Sequence, residues 1–355
     1  MHQSLLFFIA LGIMLTAEPV RSARMISVKG NRFINTLGQT VILQGFSHSG
    51  TEFACLHGQI FDGQVDNAAI AAMKTWNVNL VRLPLNEDCW LAINGVPPTA
   101  SGGPYQAAII DYIDRLWAHG IYTIVDLHWT APGTAQATGQ QPMPDSDHAP
   151  AFWMSVAAVL KCRTYVIFDV FNEPYPDRVG GGSSPAAWTC WRDGGTCAGI
   201  NFHVAGMQSL VDAVRSTGAQ NIIILGGLNY ANDLTQWLKY RPTDPLSNVA
   251  ASTHIYNFNQ CISTGCWDAT FSPILAAGIP VMIGEFGEND CGGSFVKTLV
   301  PWYVKHNVSH SAWTWNTWNC SSGPALISDY KGTCTGYGCP VRTHFLAFPL
   351  TPTPK

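Results

Sequence analysis

The sequence predicts a single (β/α)₈ barrel with a short N-terminal β-hairpin, and three observations lead there. Short β-rich segments alternate strictly with amphipathic ones from residue 41 onward, the β-rich segments number eight, and no linker marks a second domain. Strict alternation means a parallel sheet, because parallel strands need a crossover between them. Eight such units close into a ring.

Taken in order, 26–28 and 32–34 flank Gly30-Asn31, turn chemistry that predicts a hairpin across the bottom of the barrel. The first strand, 41–46, precedes a helix over 66–76. The second, 79–84, leads to a helix that Pro104 opens, with Ile109, Ile110, Ile113, Leu116 and Trp117 on one face and Gly120 after its end. The third, 121–128, precedes a helix over 149–160. After the fourth, 165–172, Val204, Met207, Leu210, Val211 and Val214 share a helical face, and Gly218 follows. The fifth, 221–227, is followed by helix 233–240, the sixth, 249–256, by 267–277, and the seventh, 280–287, by 294–306. The eighth strand is 311–316. Most strands are dense in Val, Ile and Phe, as expected where both faces are covered. An open doubly wound sheet is the competing fold. It needs a Gly-rich phosphate loop after its first strand, and Gln44-Gly45-Phe46-Ser47-His48-Ser49-Gly50 is no GxGxxG.

The apolar run from Leu5 to Leu15, followed by Glu18-Pro19, is too short to span a membrane and has the layout of a cleaved secretory signal over residues 1–22. Residues 23–355 are then one exported domain, expected to be a monomer, ending in the short extended tail Thr351-Pro352-Thr353-Pro354. Charged residues are only 12% of the chain and the net charge is −4 with no basic run. That excludes steering to nucleic acid or an anionic membrane. The 13 Trp exceed what an apolar core asks for, and flat rings on loops suit the apolar faces of sugars. Eleven Cys in an exported chain suggest disulfides that clip the loops of the C-terminal face, plus one leftover thiol. The expected pairs are Cys190 with Cys197, Cys261 with Cys266, Cys334 with Cys339, Cys55 with Cys89 and Cys291 with Cys320. Cys162 is left over, before an apolar strand, and is expected to be buried. No CxxC or paired His/Cys spacing supports a metal site.

In such a barrel the reactive groups sit at the C-terminal ends of the strands. Here strand after strand ends in a polar residue that an apolar barrel does not need. The second carries Arg82, the third ends Asp126-Leu127-His128-Trp129 and the fourth Asn172-Glu173-Pro174. The sixth ends His254-Ile255-Tyr256, the seventh carries Glu285, and the eighth ends Trp315-Asn316. Strands four and seven face each other across the ring, so Glu173 and Glu285 look at one another over its mouth. Two carboxyl groups about 5 Å apart are what retaining glycoside cleavage needs, one protonating the leaving oxygen and the other attacking the anomeric carbon. Glu173, as the acid, is expected to have the higher pKa, with Arg82 keeping Glu285 ionised.

Asn172-Glu173-Pro174 with Gly284-Glu285-Phe286-Gly287 resembles the cellulase-type glycoside hydrolases of family 5, in clan A. The resemblance extends through Val81-Arg82-Leu83-Pro84, Asp126-Leu127-His128, His254-Ile255-Tyr256 and Trp313-Thr314-Trp315, in the family's order. It implies Glu173 as acid/base and Glu285 as nucleophile. Asn172 would bond the sugar 2-hydroxyl and Arg82 would orient Glu285. His128, His254 and Tyr256 would position sugar and carboxylates, and Trp315 would form the platform beneath the ring. It implies no cofactor, and a polysaccharide as partner.

The expected activity is hydrolysis of internal β-linkages, with β-1,4-glucan as first substrate. A β-1,3-glucan, mannan or xylan hydrolase, or a transglycosylase, would use the same eight residues. A secreted carbohydrate-binding barrel without turnover predicts a missing carboxylate, and both are present. A metal-dependent hydrolase would want His-x-His on the first strand, where only His48 stands. Of the loop acids, Glu52, Asp62, Glu87 and Asp88 are expected as surface charge, and Glu288 and Asp290 as solvated. Trp90, Trp129 and Trp318 fit either outer sugar sites or loop packing.

Overall fold

The structure is a computed structural model, and it describes residues 26–321, 323–348 and 350. The expected signal at 1–22 and the Pro-rich tail lie outside them. Strands β1 (Ile26–Lys29), β2 (Arg32–Asn35) and β3 (Thr40–Val41) form a small antiparallel sheet. The barrel strands are β4 (Gln44–Ser47), β5 (Leu80–Asn86), β6 (Tyr122–Trp129) and β7 (Val166–Asp169), then β10 (Ile223–Gly226), β11 (Val249–Tyr256), β12 (Val281–Gly287) and β13 (Ser309–Ala312). A two-stranded ribbon, β8 (Gly194–Thr196) with β9 (His203–Ala205), lies in the loop after β7. The eight barrel strands close in chain order, β13 pairing with β4 through His310 opposite Gln44. All pairs in the ring are parallel.

Several expected boundaries move. The first strand is Gln44–Ser47 and not 41–46, Val41 pairing instead with Phe33 in the small sheet. The helix expected over 233–240 is only Trp237–Tyr240, and that over 267–277 is two, Thr264–Thr270 and Ser272–Ala276. The eighth strand is Ser309–Ala312 and not 311–316. Its ladder starts early because His310 N–H donates to Leu43 O at 2.8 Å, and Leu43 N–H to Ser309 Oγ at 3.0 Å. A Ser-His-Ser run is polar and reads as loop. The fourth strand stops at Asp169, although Asn172 N–H still reaches Leu127 O at 3.1 Å. The close packing of the ring fixes one glycine. A Cβ at Gly45 would collide with the Leu80 carbonyl of the next strand.

The hairpin plugs the bottom as expected. Ile26, Phe33, Val41 and Leu43 form one apolar cluster with Leu80, Ile124, Ile167, Ile224 and Met282, which lie toward the strand starts. Val28 N–H donates to Asn248 Oδ1 at 2.8 Å, just ahead of β11, and so locks hairpin to ring. The larger core fills the space between ring and helices. The five expected disulfides are all formed. Cys162 corrects the expectation, being free and exposed. It sits in the turn after helix Ala149–Leu160, before the buried strand begins at Val166. Among the described residues no helix is long and apolar enough to cross a membrane.

Candidate active site

The C-terminal mouth is organised around one buried guanidinium. Arg82, on β5, donates from Nη1 to Glu285 Oε1 at 2.6 Å, and from Nη2 to Asn172 Oδ1 at 2.8 Å and Asp169 Oδ2 at 3.0 Å. Asp126 Oδ2 lies 3.2 Å from Nη2. Burial alone would depress the Arg82 pKa, but Asp126, Glu285 and Asp169 outweigh it and raise it further. The cation is therefore permanent, and Glu285 takes a charge-assisted bond from it. Tyr256 O–H donates to the other oxygen, Glu285 Oε2, at 2.6 Å. Burial and the neighbouring Glu285 charge push the Tyr256 pKa well up, so this phenol stays a donor.

Glu173 stands across from Glu285, and its oxygens are held from two sides. His254 Nδ1 lies 2.8 Å from Oε1, and Gln140 Nε2 donates to Oε2 at 2.7 Å. Burial favours the neutral acid. The bond and charge of His254, the Gln140 amide and the charge of His128 oppose it and leave the pKa below the ordinary value. The sequence predicted the reverse: it placed His254 near the carboxylates but did not show that its bond and charge, joined by the Gln140 amide, outweigh burial. One oxygen from each glutamate and a ring nitrogen of His254 all lie within 4.8 Å of one another. A divalent cation or a reacting sugar ring fits that spacing.

His128 is fixed by Asp126, whose Oδ2 lies 2.7 Å from its Nδ1. Burial pulls this imidazole down, but the adjacent Asp126 anion and their hydrogen bond push it up to about 9. Its Nε2 is 3.5 Å from Asn172 Nδ2. Asn172 spends its carbonyl on Arg82, which turns its NH₂ toward the cavity it lines. That cavity, of ≈ 640 Å³, also takes in His128, Glu173, Tyr256 and Glu285.

Of the predicted site residues, Arg82, His128, Asn172, Glu173, His254, Tyr256 and Glu285 thus converge on one mouth. Trp315 does not line it. Its ring is fully buried, stacked on Phe46 at 4.5 Å, whereas Trp313 lines the cavity and stacks on His128 at 5.6 Å. The β13 ladder ends at Ala312, so the two-residue alternation of a strand no longer decides which Trp faces inward.

Sequence reasoning also missed Gln140 and Asp169; Asp126 shares the strand face of His128, two residues on, and the structure makes it the partner of His128 and Arg82. An Asp ending the apolar strand Val-Ile-Phe-Asp was a readable signal for Asp169. Gln140 lies in a long loop with none. The loop acids depart from expectation. Glu52, Glu87, Asp88 and Glu288 are buried. Each accepts backbone N–H groups, Glu52 from Gly50, Glu87 from Ala131, Asp88 from Ala137, and Glu288 from Phe295 and Val296 at the start of helix Ser294–His306. Burial pushes Glu52 up to about 7, against the pull of His128. Asp62 is half-buried and accepts the Trp318 indole N–H at 3.1 Å, while Asp290 is exposed as expected. Trp318 lines the cavity, whereas Trp90 is sealed in loop packing.

A family model described as cellulase (glycosyl hydrolase family 5) matches residues 34–319. Endoglucanase MaCel5A of Microbulbifer sp. (strain ALW1) is 22% identical over 337 residues, covering 88% of this chain and 57% of that protein. The chain thus spans little more than half the length of that relative. A solved β-glucanase, SdGluc5_26A from Saccharophagus degradans with cellotetraose, superposes with a TM-score of 0.68 at 21% identity, covering 91% of this chain and 93% of the other. A β-mannanase from Streptomyces thermolilacinus with mannohexaose gives 0.64 at 23%, over 90% and 94%. At such identities the two structures speak for the fold. With the family model spanning most of the barrel, the chain belongs to the cellulase family, glycosyl hydrolase family 5.

Proposed function

We propose that this protein is a secreted, retaining glycoside hydrolase that cleaves internal β-linkages of a polysaccharide, β-1,4-glucan first. Glu285 is the nucleophile and Glu173 the acid/base. The observation that carries this reading is the spacing of Glu173, His254 and Glu285 within 4.8 Å. A carboxyl pair this close leaves room for a sugar carbon but none for an intervening water, which favours double displacement.

In the first step Glu285 attacks the anomeric carbon while Glu173 gives its proton to the leaving oxygen. Arg82 and Tyr256 hold the two Glu285 oxygens and aim the attack. Glu173 must first gain a proton that its donors discourage in the empty cleft. His254 is placed to share it, with Nδ1 2.8 Å from Glu173 and 3.5 Å from Glu285. Sugar binding adds the burial that favours the neutral acid. Once Glu285 is esterified its charge is gone, and Glu173 then takes a proton from water as base. The Asn172 NH₂ is free to bond the 2-hydroxyl, whose contact strengthens as charge develops on the ring. Trp313 offers the flat face beneath it.

Residues 23–355 form the catalytic domain in this reading. The five disulfides agree with an oxidising compartment. The chain acts as a monomer on polysaccharide. Mannan is the second reading, favoured by the fold shared with a mannohexaose-bound β-mannanase. Reducing-end release from carboxymethylcellulose, mixed-linkage β-glucan, laminarin, mannan and xylan tests both. The expected order places β-1,4-glucan first. Retention of polysaccharide with no new reducing ends on any of the five would establish a binding barrel instead.

A further inference from the structure

We infer that Glu87 and Asp145 share one proton and with it fasten the loop that brings Gln140 to Glu173, so that ionising the pair frees this contact. The inference rests on the reading of Glu173 as acid/base. Both side chains are fully buried, and neither lines the catalytic cavity. Glu87 Oε1 accepts the Ala131 N–H at 3.4 Å, and Asp145 Oδ1 accepts the N–H groups of Asp147 at 3.1 Å and His148 at 2.8 Å. The other oxygens, Glu87 Oε2 and Asp145 Oδ2, are sealed from water and meet no N–H or O–H donor among the described residues. The two side chains are instead hydrogen-bonded to each other. Ionised carboxylates only accept, so this bond exists only while one of them carries a proton.

Glu87 is the one that holds it. Burial, the Asp145 charge and the bond between them push the Glu87 pKa well up. Burial also raises Asp145, but the His148 N–H and the bond from Glu87 oppose it. The other charged groups facing the pair are Asp88, on the same short helix, which repels the Glu87 anion, and His148, whose charge favours the Asp145 anion. On β9, which bridges to Asp145 through Val204, His203 Nδ1 lies 3.2 Å from Ser146 Oγ.

The pair joins two loops of the mouth. Glu87 opens the short helix Glu87–Leu91 that follows β5, and Asp145 stands near the end of the loop between β6 and helix Ala149–Leu160. Within that loop, Asp88 takes the Ala137 N–H at 2.7 Å and Asn86 donates to the Ala137 carbonyl at 2.8 Å. Further on, the loop is tied to the segment that bears the acid. Tyr175 donates its hydroxyl to Gln140 O at 3.2 Å and its N–H to Pro142 O at 2.9 Å. The Gln140 amide then reaches Glu173 Oε2 at 2.7 Å. Gln140 is thus suspended between the acid-bearing segment and a loop that the shared proton holds shut. When the proton leaves, two buried anions repel without water between them and the loop loosens. The amide that discourages a proton on Glu173 then loses its fixed position, and the acid keeps its proton further into the alkaline range.

Glu87→Gln makes the clasp permanent, because its amide donates to Asp145 at every pH. Its two effects should have opposite signs. The folded state holds the Glu87 proton above its ordinary value of 4.5, so the stability it contributes is complete below pH 4.5 and is lost as pH rises toward the raised value. The variant has no such proton to lose. Its melting temperature should therefore gain on the native one steadily between about pH 5 and about pH 9. At the upper end its kcat/KM on β-1,4-glucan should nevertheless lie about tenfold below native, the size of one hydrogen bond to a charged group. Asp145→Asn, which keeps an oxygen for the backbone and supplies an amide donor, should reproduce both effects. In a Gln140→Met background, Glu87→Gln should still change the melting profile but no longer lower kcat/KM. A melting difference that stays constant with pH in both amide variants overturns the shared proton. Activity that is unchanged, or that rises together with stability, overturns the link to Glu173. A native protein that cleaves no β-glycan defeats the glycosidase reading and that link with it, while the melting profiles still decide the shared proton.

Discussion

The two ends of the barrel are made from the same eight strands and solve opposite problems. At the bottom, Ile26, Phe33 and Leu43 meet Leu80, Ile124, Ile224 and Met282, and an apolar cluster seals the ring. Toward the mouth, the same ring carries Arg82, Asp126, Asp169, His254 and Glu285, all buried, with one cation shared among three carboxylates. The bottom is held by burial of apolar area, which tolerates substitution of similar volume. The mouth is held by charge-assisted bonds, where removing one partner strands another without water. The apolar end contributes packing alone, and at the other the fold sustains an arrangement whose worth is also chemical.

That contrast breaks if changes at the mouth and at the bottom affect turnover alike. The largest effect should come from the carboxylates. Glu285→Ala and Glu173→Ala should each lower kcat on β-1,4-glucan by about 10⁴-fold or more, with an intact far-UV spectrum. With an activated glycoside, azide should rescue only Glu285→Ala to a product of inverted configuration. Full hydrolysis by either variant contradicts the assignment. Asn172→Ala should follow, with kcat down about 10²-fold and KM little changed, since its contact matures in the transition state. A loss confined to KM would remove that role.

A smaller effect, on pH dependence, should follow Asp126→Asn. The folded His128 pKa of about 9 lies above the ordinary imidazole value of 6.5, so the folded state holds this proton more tightly. Its contribution to stability is complete below pH 6.5 and is lost as pH rises through about 9. The variant lacks the anion that raises this pKa, so its melting temperature should fall less steeply across that window. Parallel melting profiles would show that Asp126 does not set the His128 charge. Phe33→Ala, at the bottom, should affect turnover least. It should cost about 3–5 kcal/mol in urea unfolding and leave kcat and KM as they were. A tenfold loss of kcat there would show that the two ends are coupled.

The legibility of the molecule follows the same division. Buried parallel strands announce themselves by composition, so Val249–Tyr256 and Val281–Gly287 were readable almost to the residue. The carboxylates were readable because they stand at strand ends, where topology fixes the side they face. The eighth strand was misplaced because Ser309, His310 and Ser311 pair in the ladder with polar side chains. Trp315 was expected at the cavity and Trp313 lines it instead for a related reason: past Ala312, loop geometry chooses the face. Gln140 and Tyr230 reach the cavity from loops, where pattern carries no direction. The buried acids Glu52, Glu87, Asp88 and Glu288 were read as surface or solvated charge because their partners are backbone N–H groups of folded loops and of one helix start, which sequence does not display.

The most direct test of the paired carboxylates is to trap the intermediate. The native protein would be treated with a 2-deoxy-2-fluoro-β-cellobiosyl fluoride, digested, and its labelled peptide sequenced by mass spectrometry. The account predicts a covalent glycosyl ester on Glu285, formed with loss of activity and released slowly as a product of retained configuration. A label on another residue, or rapid hydrolysis of the natural glycan to a product of inverted configuration with no ester formed, would contradict it.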